Sequence, residues 1–183
     1  MLYTGKGDDG NTNIFGCCDQ RLSKSSAVAR ALGDLDELNS FLGLCKVKSK
    51  ENEILIGEDS CHKIIDDVQQ NLFIIQAEVA GGDKKIDEER IREVEDIITK
   101  IEEELPPIKS FFISGGAELS SLFDFSRTIA RRAERKVVEV KEEGKVKINP
   151  NTLAYLNRLS SLLYAMARVV NHRLGIVESP PRY

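Results

Sequence analysis

Arginine recurs at positions 127, 131, 132 and 135 within the run Ser126-Arg-Thr-Ile-Ala-Arg-Arg-Ala-Glu-Arg-Lys-Val-Val138. At helical spacing Arg127, Arg131, Glu134 and Val138 share one side, with Arg135 beside them, while Ile129, Ala133, Val137 and Val140 form an apolar stripe opposite. A guanidinium is always charged and forks to match phosphate or carboxylate, so arginines one turn apart can grip a polyphosphate from a single element. The competing interpretation is a solvated helix face laced with Arg–Glu pairs, each worth ~0.3 kcal/mol.

Other stretches offer partners for such a grip. Residues 3–16 contain Gly5, Gly7, Gly10 and Gly16 with Thr4 and Thr12, a loop that can take positive φ and turn backbone N–H groups toward an anion. Thr4, Lys6 and Thr12 add side-chain donors, and Arg21 and Lys24 add cations nearby. The alternative is a flexible arm. The order of a Walker A loop is absent, and the pair Asp8-Asp9 lacks the spacing of a calcium loop. Gly33, Asp36, Ser40 and Gly43 make a small polar helix stripe with one carboxylate, suited to close approach by a ligand or partner or else simply exposed. Asn157, Ser161, Tyr164 and Arg168 form a polar seam on an otherwise apolar helix, which must face water or line a site. Phe111-Phe112, ahead of the hinge Gly115-Gly116, either plug a core or line a ligand site. The four cysteines, at 17, 18, 45 and 61, form no CxxC pair, and His62 and His172 are the two histidines. That set suits neither zinc nor a nucleophilic triad and is expected to stay as reduced thiols.

Helices are required to position these groups. Periodicity predicts them over residues 27–48, from a cap at Asp59-Ser60 to a stop at Gly81-Gly82, over 87–105 before Pro106-Pro107, from about Glu118 to Gly144, and from about 151 to 174. Residues 49–58 are expected to be a polar loop and the stretch after Gly175 a frayed tail. With almost no strand pattern, the fold class is all-α, a five-helix bundle joined by short loops. A chain of 183 residues fits one domain, 1–183, with a glycine-rich segment 1–26, a bundle 27–174 and a tail 175–183. At this size folding buries roughly 70% of the unfolded surface without staples. A formal charge of −4 argues against a general nucleic-acid binder, so any basic pocket is local. No basic or apolar leader and no run of eighteen apolar residues is seen, which leads to the expectation of a cytoplasmic protein with no membrane partner.

Three separated motifs fall into a known order. The run Tyr3-Thr-Gly-Lys-Gly-Asp-Asp-Gly-Asn-Thr12, the run Leu32-Gly-Asp-Leu-Asp-Glu-Leu-Asn39, and Arg127 to Arg135 with Tyr155-Leu-Asn-Arg-Leu-Ser160 together resemble the ATP:cob(I)alamin adenosyltransferases of the propanediol-utilisation type. The similarity runs from about residue 3 to about 172, and the joint order of the motifs is more specific than any one of them. The resemblance implies a homotrimer of five-helix bundles with ATP and corrinoid bound between subunits. It implies transfer of the 5′-deoxyadenosyl group of ATP to the cobalt of cob(I)alamin, giving adenosylcobalamin and triphosphate. Cobalt is then the nucleophile, and arginine and Mg²⁺ clamps are the expected stabilisers of the departing polyanion, the cation held mainly through the ATP phosphates. A reductase and a cobalamin-dependent enzyme are the implied protein partners.

Residue by residue, the resemblance implies that Thr4, Gly5, Lys6, Gly7, Asp8, Gly10 and Thr12 wrap the ATP phosphates, with Lys24 adding charge. Arg131 and Asn157 would hold phosphate and nucleoside groups, and Arg132, Glu134 and Arg135 would complete the nucleotide site. Asp36 would pair with Arg127 across a subunit boundary, next to the corrinoid. Phe111 falls where the family places a ring over the lower face of the corrin, excluding the axial ligand of cob(II)alamin and easing its reduction; Phe112 leaves a one-residue ambiguity. Ser161 stands where many relatives have an acid, Ser114 where proline is frequent and Gly5 where a cation is common. The rival readings are a non-enzymatic ATP-binding bundle of the same fold and a basic-helix nucleic-acid binder, the latter opposed by the net acidity.

Overall fold

The computed structural model describes residues 3–14, 21–52 and 54–182. Cys17 and Cys18, with Phe15 and Gly16 of the glycine-rich stretch, lie outside the described residues. The helices are α1 (Ala27–Asn52), α2 (Cys61–Val79), α3 (Glu88–Glu104), α4 (Glu118–Glu143) and α5 (Pro150–Arg173). Two small antiparallel hairpins accompany them. In the first, β1 (Asn11–Asn13) pairs with β2 (Arg21–Ser23), Thr12 opposite Leu22. In the second, β3 (Leu55–Ile56) pairs with β4 (Asp59–Ser60), Leu55 opposite Ser60.

Each helix begins where a side chain or a tertiary contact satisfies its first amides. Ser60 Oγ accepts from Lys63 N at 3.2 Å, Asp87 Oδ1 from Arg90 N at 3.0 Å, and Asn149 Oδ1 from Asn151 N at 3.1 Å. Pro150 then occupies the first turn of α5, where a missing N–H costs nothing. Ala117 ahead of α4 has no capping side chain; Asn171 from α5 accepts its amide instead, at 3.1 Å.

Helix α4 lies between α1 and α5, with α2 on the far side of α1 and α3 on the far side of α5. The apolar stripes read from periodicity meet in one core, including Leu35, Leu38 and Leu42 of α1, Leu72 and Ile75 of α2, Ile101 of α3, Phe123, Ile129 and Val137 of α4, and Leu156 and Leu163 of α5. Fully burying such a side chain stabilises by roughly 1.5–3 kcal/mol.

Three expectations need correction. Residues 49–58 are not one polar loop: α1 continues to Asn52 and the β3–β4 hairpin follows, because Ile54 and Ile56 are buried and Ile54 O accepts from Cys61 N at 2.8 Å. The connections are not all short, since residues 105–117 join α3 to α4 without regular structure. The stretch after α5 is not frayed. Ile113 N donates to Ser179 O at 2.9 Å, and Glu178 pairs with the guanidinium of Arg168, a charge that burial obliges to find carboxylates.

Candidate functional site

Two grooves on opposite sides of α4 and α1 hold most of the residues singled out in the sequence. Between α3, α4 and α5, closed by the 105–117 connector and the segment after α5, lies a cavity of about 850 Å³. Helix α4 contributes Asp124, Arg127 and Arg131, α5 contributes Ser161 and Tyr164, and the connector contributes Phe111 and Phe112. Arg131 also lines a smaller groove of about 280 Å³ with Glu134, Arg135, Val138 and Asn157, so this one side chain borders both recesses. The shared face of Arg127, Arg131, Glu134 and Val138 expected from helical spacing is therefore present, and Asn157 Nδ2 donates to Glu134 Oε1 at 3.2 Å across it.

The two phenylalanines differ in placement. Phe112 lies under the Arg168 guanidinium, 5.8 Å from its ring centroid, whereas Phe111 is 79% exposed at the cavity. Arg127 is half-buried, and its Nε is enclosed without a hydrogen-bond partner, 4.0 Å from Asp124 Oδ1. An enclosed guanidinium N–H without an acceptor is costly, and the Asp124 carboxylate is the charge nearest to it. Burial pushes the Tyr164 phenol above its usual range, with the nearby Arg168 charge acting in the opposite direction.

Asp36 lies elsewhere. It lines a groove of about 670 Å³ between α1 and α2 with Gly33, Thr12, Lys24, Phe73 and Gln76. Antiparallel packing of α1 on α4 sets Cys45 Sγ 3.3 Å from Ser126 Oγ and Arg132 Nε 3.4 Å from Asp34 Oδ2, with Glu37 as a second partner of Arg132. Asp36 is thus level with Arg132, roughly five residues or ~8 Å along the axis from Arg127, and faces another groove. Arg132 is turned away from Arg131 and onto α1; its hydrogen bond to Glu37 holds the guanidinium still more firmly protonated.

The N-terminal segment is a built loop. Gly5 (φ 66°) and Gly10 (φ 79°) take left-handed conformations open to few other residues. Asp8 N donates to Gly5 O, Gly10 N to Gly7 O, Lys6 N to Thr4 Oγ1 and Asn11 N to Asp9 Oδ1. Lys24 Nζ donates to Gly7 O at 2.8 Å, which brings that cation onto the loop as expected. In this arrangement the N–H groups of Lys6, Asp8, Gly10 and Asn11 already have acceptors inside the loop. The Asn11 amide and the Arg21 guanidinium hold Asp9 below the usual carboxylate range.

Sequence reasoning did not single out Asp124, Asn171, Glu178, Phe73 or Gln76. Asp124 precedes Arg127 by one helical turn, a visible signal of an acid–base pair. The others are marked by tertiary packing alone. Of the remaining sequence features, His62 serves structure, its Nδ1 lying 3.2 Å from Lys46 O.

Comparison with known proteins places this geometry. Residues 2–170 match the family described as cobalamin adenosyltransferase. The chain is 38% identical over 186 residues to a corrinoid adenosyltransferase of Bacillus subtilis (strain 168), covering 96% of this chain and 89% of that protein. It is 35% identical over 178 residues to the corrinoid adenosyltransferase PduO of Citrobacter freundii, covering 93% of this chain and 50% of that protein. The chain thus spans about half the length of that PduO relative. Among solved structures, a variant PduO-type ATP:corrinoid adenosyltransferase from Lactobacillus reuteri complexed with cobalamin and ATP superposes with a TM-score of 0.87 at 30% identity. That match covers 100% of this chain and 97% of the other.

Proposed function

The chain belongs to the cobalamin adenosyltransferase family, and from that premise we propose that it transfers the 5′-deoxyadenosyl group of ATP to the cobalt of cob(I)alamin. The electron pair of cob(I) forms the Co–C5′ bond, the C5′–O bond breaks, and triphosphate leaves with its electrons. The protein then supplies no nucleophile or proton acceptor, only position and charge. The observation that supports this reading is the arginine face of α4, on which Arg127 and Arg131 line the cavity that also holds Phe111 and Arg131 borders the groove of Glu134, Arg135 and Asn157 as well.

In this reading Arg131, with Asn157, Glu134 and Arg135, holds the nucleotide and the departing triphosphate. Thr4 to Thr12 and Lys24 close over the phosphates, and Arg132 supports the face from its α1 side. Thr12, Lys24 and Asp36 line the α1–α2 groove, and the arginine face lines the α4–α5 groove. One copy therefore offers two half-sites, and a homotrimer in which the α1–α2 groove of one subunit meets the α4–α5 groove of the next would complete them. An apolar surface in which Leu44, Val47 and Phe125 are exposed, Phe41 packing on Phe125 at 4.9 Å between ring centroids, supports self-association. Among the described residues no group of three or more His, Cys, Asp or Glu side chains gathers to hold a metal. Mg²⁺ would be carried mainly on the phosphate oxygens, as the family resemblance implies, and would supply charge neutralisation of the leaving group.

Phe111, exposed where Phe112 is tucked away, is the ring suited to lie on the lower corrin face and exclude the axial ligand of cob(II)alamin. Losing that donor lowers the cobalt orbital that accepts an electron, easing reduction by a partner reductase; the product would pass to a cobalamin-dependent enzyme. Among the described residues no helix is long and apolar enough to cross a membrane, and the cytoplasm would supply the ATP and reducing power that this chemistry needs. Purified protein with ATP, Mg²⁺ and chemically reduced cobalamin is expected to form adenosylcobalamin, read from the corrinoid spectrum. ATP binding with an unchanged corrinoid spectrum would overturn the proposal in favour of a non-enzymatic binder.

A further inference from the structure

Arg168 of α5 is 2% exposed, yet its guanidinium reaches three other parts of the molecule besides its own helix. Nη2 lies 2.5 Å from Asp124 Oδ2 on α4, itself 4% exposed, and Nη1 pairs with Glu178 beyond α5. Its Cζ lies over the Tyr164 ring, 4.9 Å from the centroid, and over the Phe112 ring, 5.8 Å from the centroid. Hydrophobic residues of similar volume usually stabilise a core as well as a buried ion pair does, so such a cluster points to a role in geometry.

One turn on, Asn171 is fully buried and continues the cluster. Its Oδ1 accepts from Ala117 N at 3.1 Å, and its Nδ2 donates to Gly115 O at 3.1 Å and to Glu178 Oε1 at 2.6 Å. Ile176 N donates to Asn171 O at 2.9 Å, and Ile113 N donates to Ser179 O at 2.9 Å. The 105–117 connector and the segment after α5 have no helix or sheet of their own. They are tied to each other and to α5 through these groups, and so Pro180 and Pro181 come to line the same cavity as Phe111.

We propose that Arg168 is a positioning residue that locks the segment after α5 against the phenylalanine connector, making both into one preformed wall of the corrinoid half of the site. Asp124 extends the lock to the reacting face, because its other oxygen lies nearest Arg127 Nε. The role rests on the corrinoid reading above. A wall facing a large flat ligand saves ordering entropy when it is set before binding. Breaking the lock therefore weakens corrinoid capture and leaves the nucleotide face, built on α4 and the N-terminal half of α5, as it was.

Arg168→Ala strands two buried carboxylates and endangers folding, so the test uses Glu178→Gln. Glu178 lies outside every helix, and the amide keeps an oxygen for Asn171 while losing the charge that Arg168 needs. Two measurements decide. In steady-state turnover the KM for cob(I)alamin is expected to rise ~10-fold or more with the KM for ATP changed less than about twofold, as a small misplacement of the corrinoid wall would give. In amide hydrogen exchange of the free protein, peptides containing Ile113 and Gly115 are expected to exchange faster while α4 peptides do not. Equal rises in both KM values, or unchanged exchange at Ile113, would overturn the positioning role. A wild-type protein that forms no adenosylcobalamin would instead sink the transferase reading, with the exchange result still deciding whether Arg168 locks the two segments.

Discussion

If the site is shared between copies, Asp36 and Arg127 act on it from different subunits, and this can be tested by mixing inactive variants. Asp36 is level with Arg132 and opens into the α1–α2 groove, while Arg127 lies roughly five residues or ~8 Å farther along α4 and faces the α4–α5 cavity. The two side chains line different grooves of one copy. In a ring each site would take Asp36 from one subunit and Arg127 from its neighbour. Assembly would bury such a pair, and removing one partner of a buried pair costs about 3–5 kcal/mol. Felt in full at the transition state, that is roughly two to four powers of ten in rate. Asp36→Ala and Arg127→Ala are each expected to be nearly inactive. In an equal mixture, unfolded together and reassembled, a site keeps both side chains when each neighbour contributes its intact one, about one site in four by random ring assembly. Adenosylcobalamin formation should then recover to about a quarter of the wild-type rate, measured against each variant reassembled alone. No recovery in mixtures shown by mass spectrometry to contain mixed rings would refute the cross-subunit pairing, and it would also refute the two-groove account of the site.

Other expectations concern the frame. Alanine at Gly116 would place its Cβ 2.5 Å from Asn171 Oδ1 on a backbone with φ 112°. Gly116→Ala is therefore expected to cost about 2–4 kcal/mol in urea unfolding. Gly115→Ala (φ 138°) has no neighbour within 4 Å and should lose only about 1–2 kcal/mol; equal losses would refute the contact. Glu78, 2% exposed, accepts from Asn149 N at 2.7 Å and from Thr152 Oγ1, joining α2 to the start of α5. Glu78→Ala should lower unfolding stability by about 2–3 kcal/mol, with turnover retained below the transition. Burial pushes the Cys45 thiol up to about 11 and the Cys61 thiol up to about 12. Both should resist iodoacetamide at about pH 8 in the native protein and react after denaturation, as peptide mass spectrometry will show. The sign follows from a folded pKa raised above the ordinary 9.0: this stabilisation is complete below that value and is lost as pH rises through about 11. Rapid native labelling of either thiol would contradict the burial.

What could be read in the chain follows from the range over which each signal acts. The apolar stripes of α1 to α5 and the caps at Ser60, Asp87 and Asn149 involve residues a few positions apart, so local spacing reveals them. The face of Arg127, Arg131 and Glu134 is legible for the same reason, and the structure lines it with Asn157 from α5. The polar seam on α5 was visible too, but its resolution was not. Asn157 and Ser161 are exposed along the groove, while Arg168 is buried on Asp124 and Glu178. Nothing in the spacing near Arg168 names two carboxylates on other elements, and Val177, Pro180 and Pro181 read as a loose end. A buried guanidinium makes that end ordered, because the cost of an unpaired charge exceeds the entropy lost in fixing a few residues. The same logic separates the core of a single copy from its grooves. Its core needs only the stripes, whereas Asp36 is exposed in a groove and the Nε of Arg127 has no hydrogen-bonding partner among the described residues. Stability and chemistry are thus assigned to different faces of the same helices, and in the ring proposed above the second would be completed by a neighbouring copy.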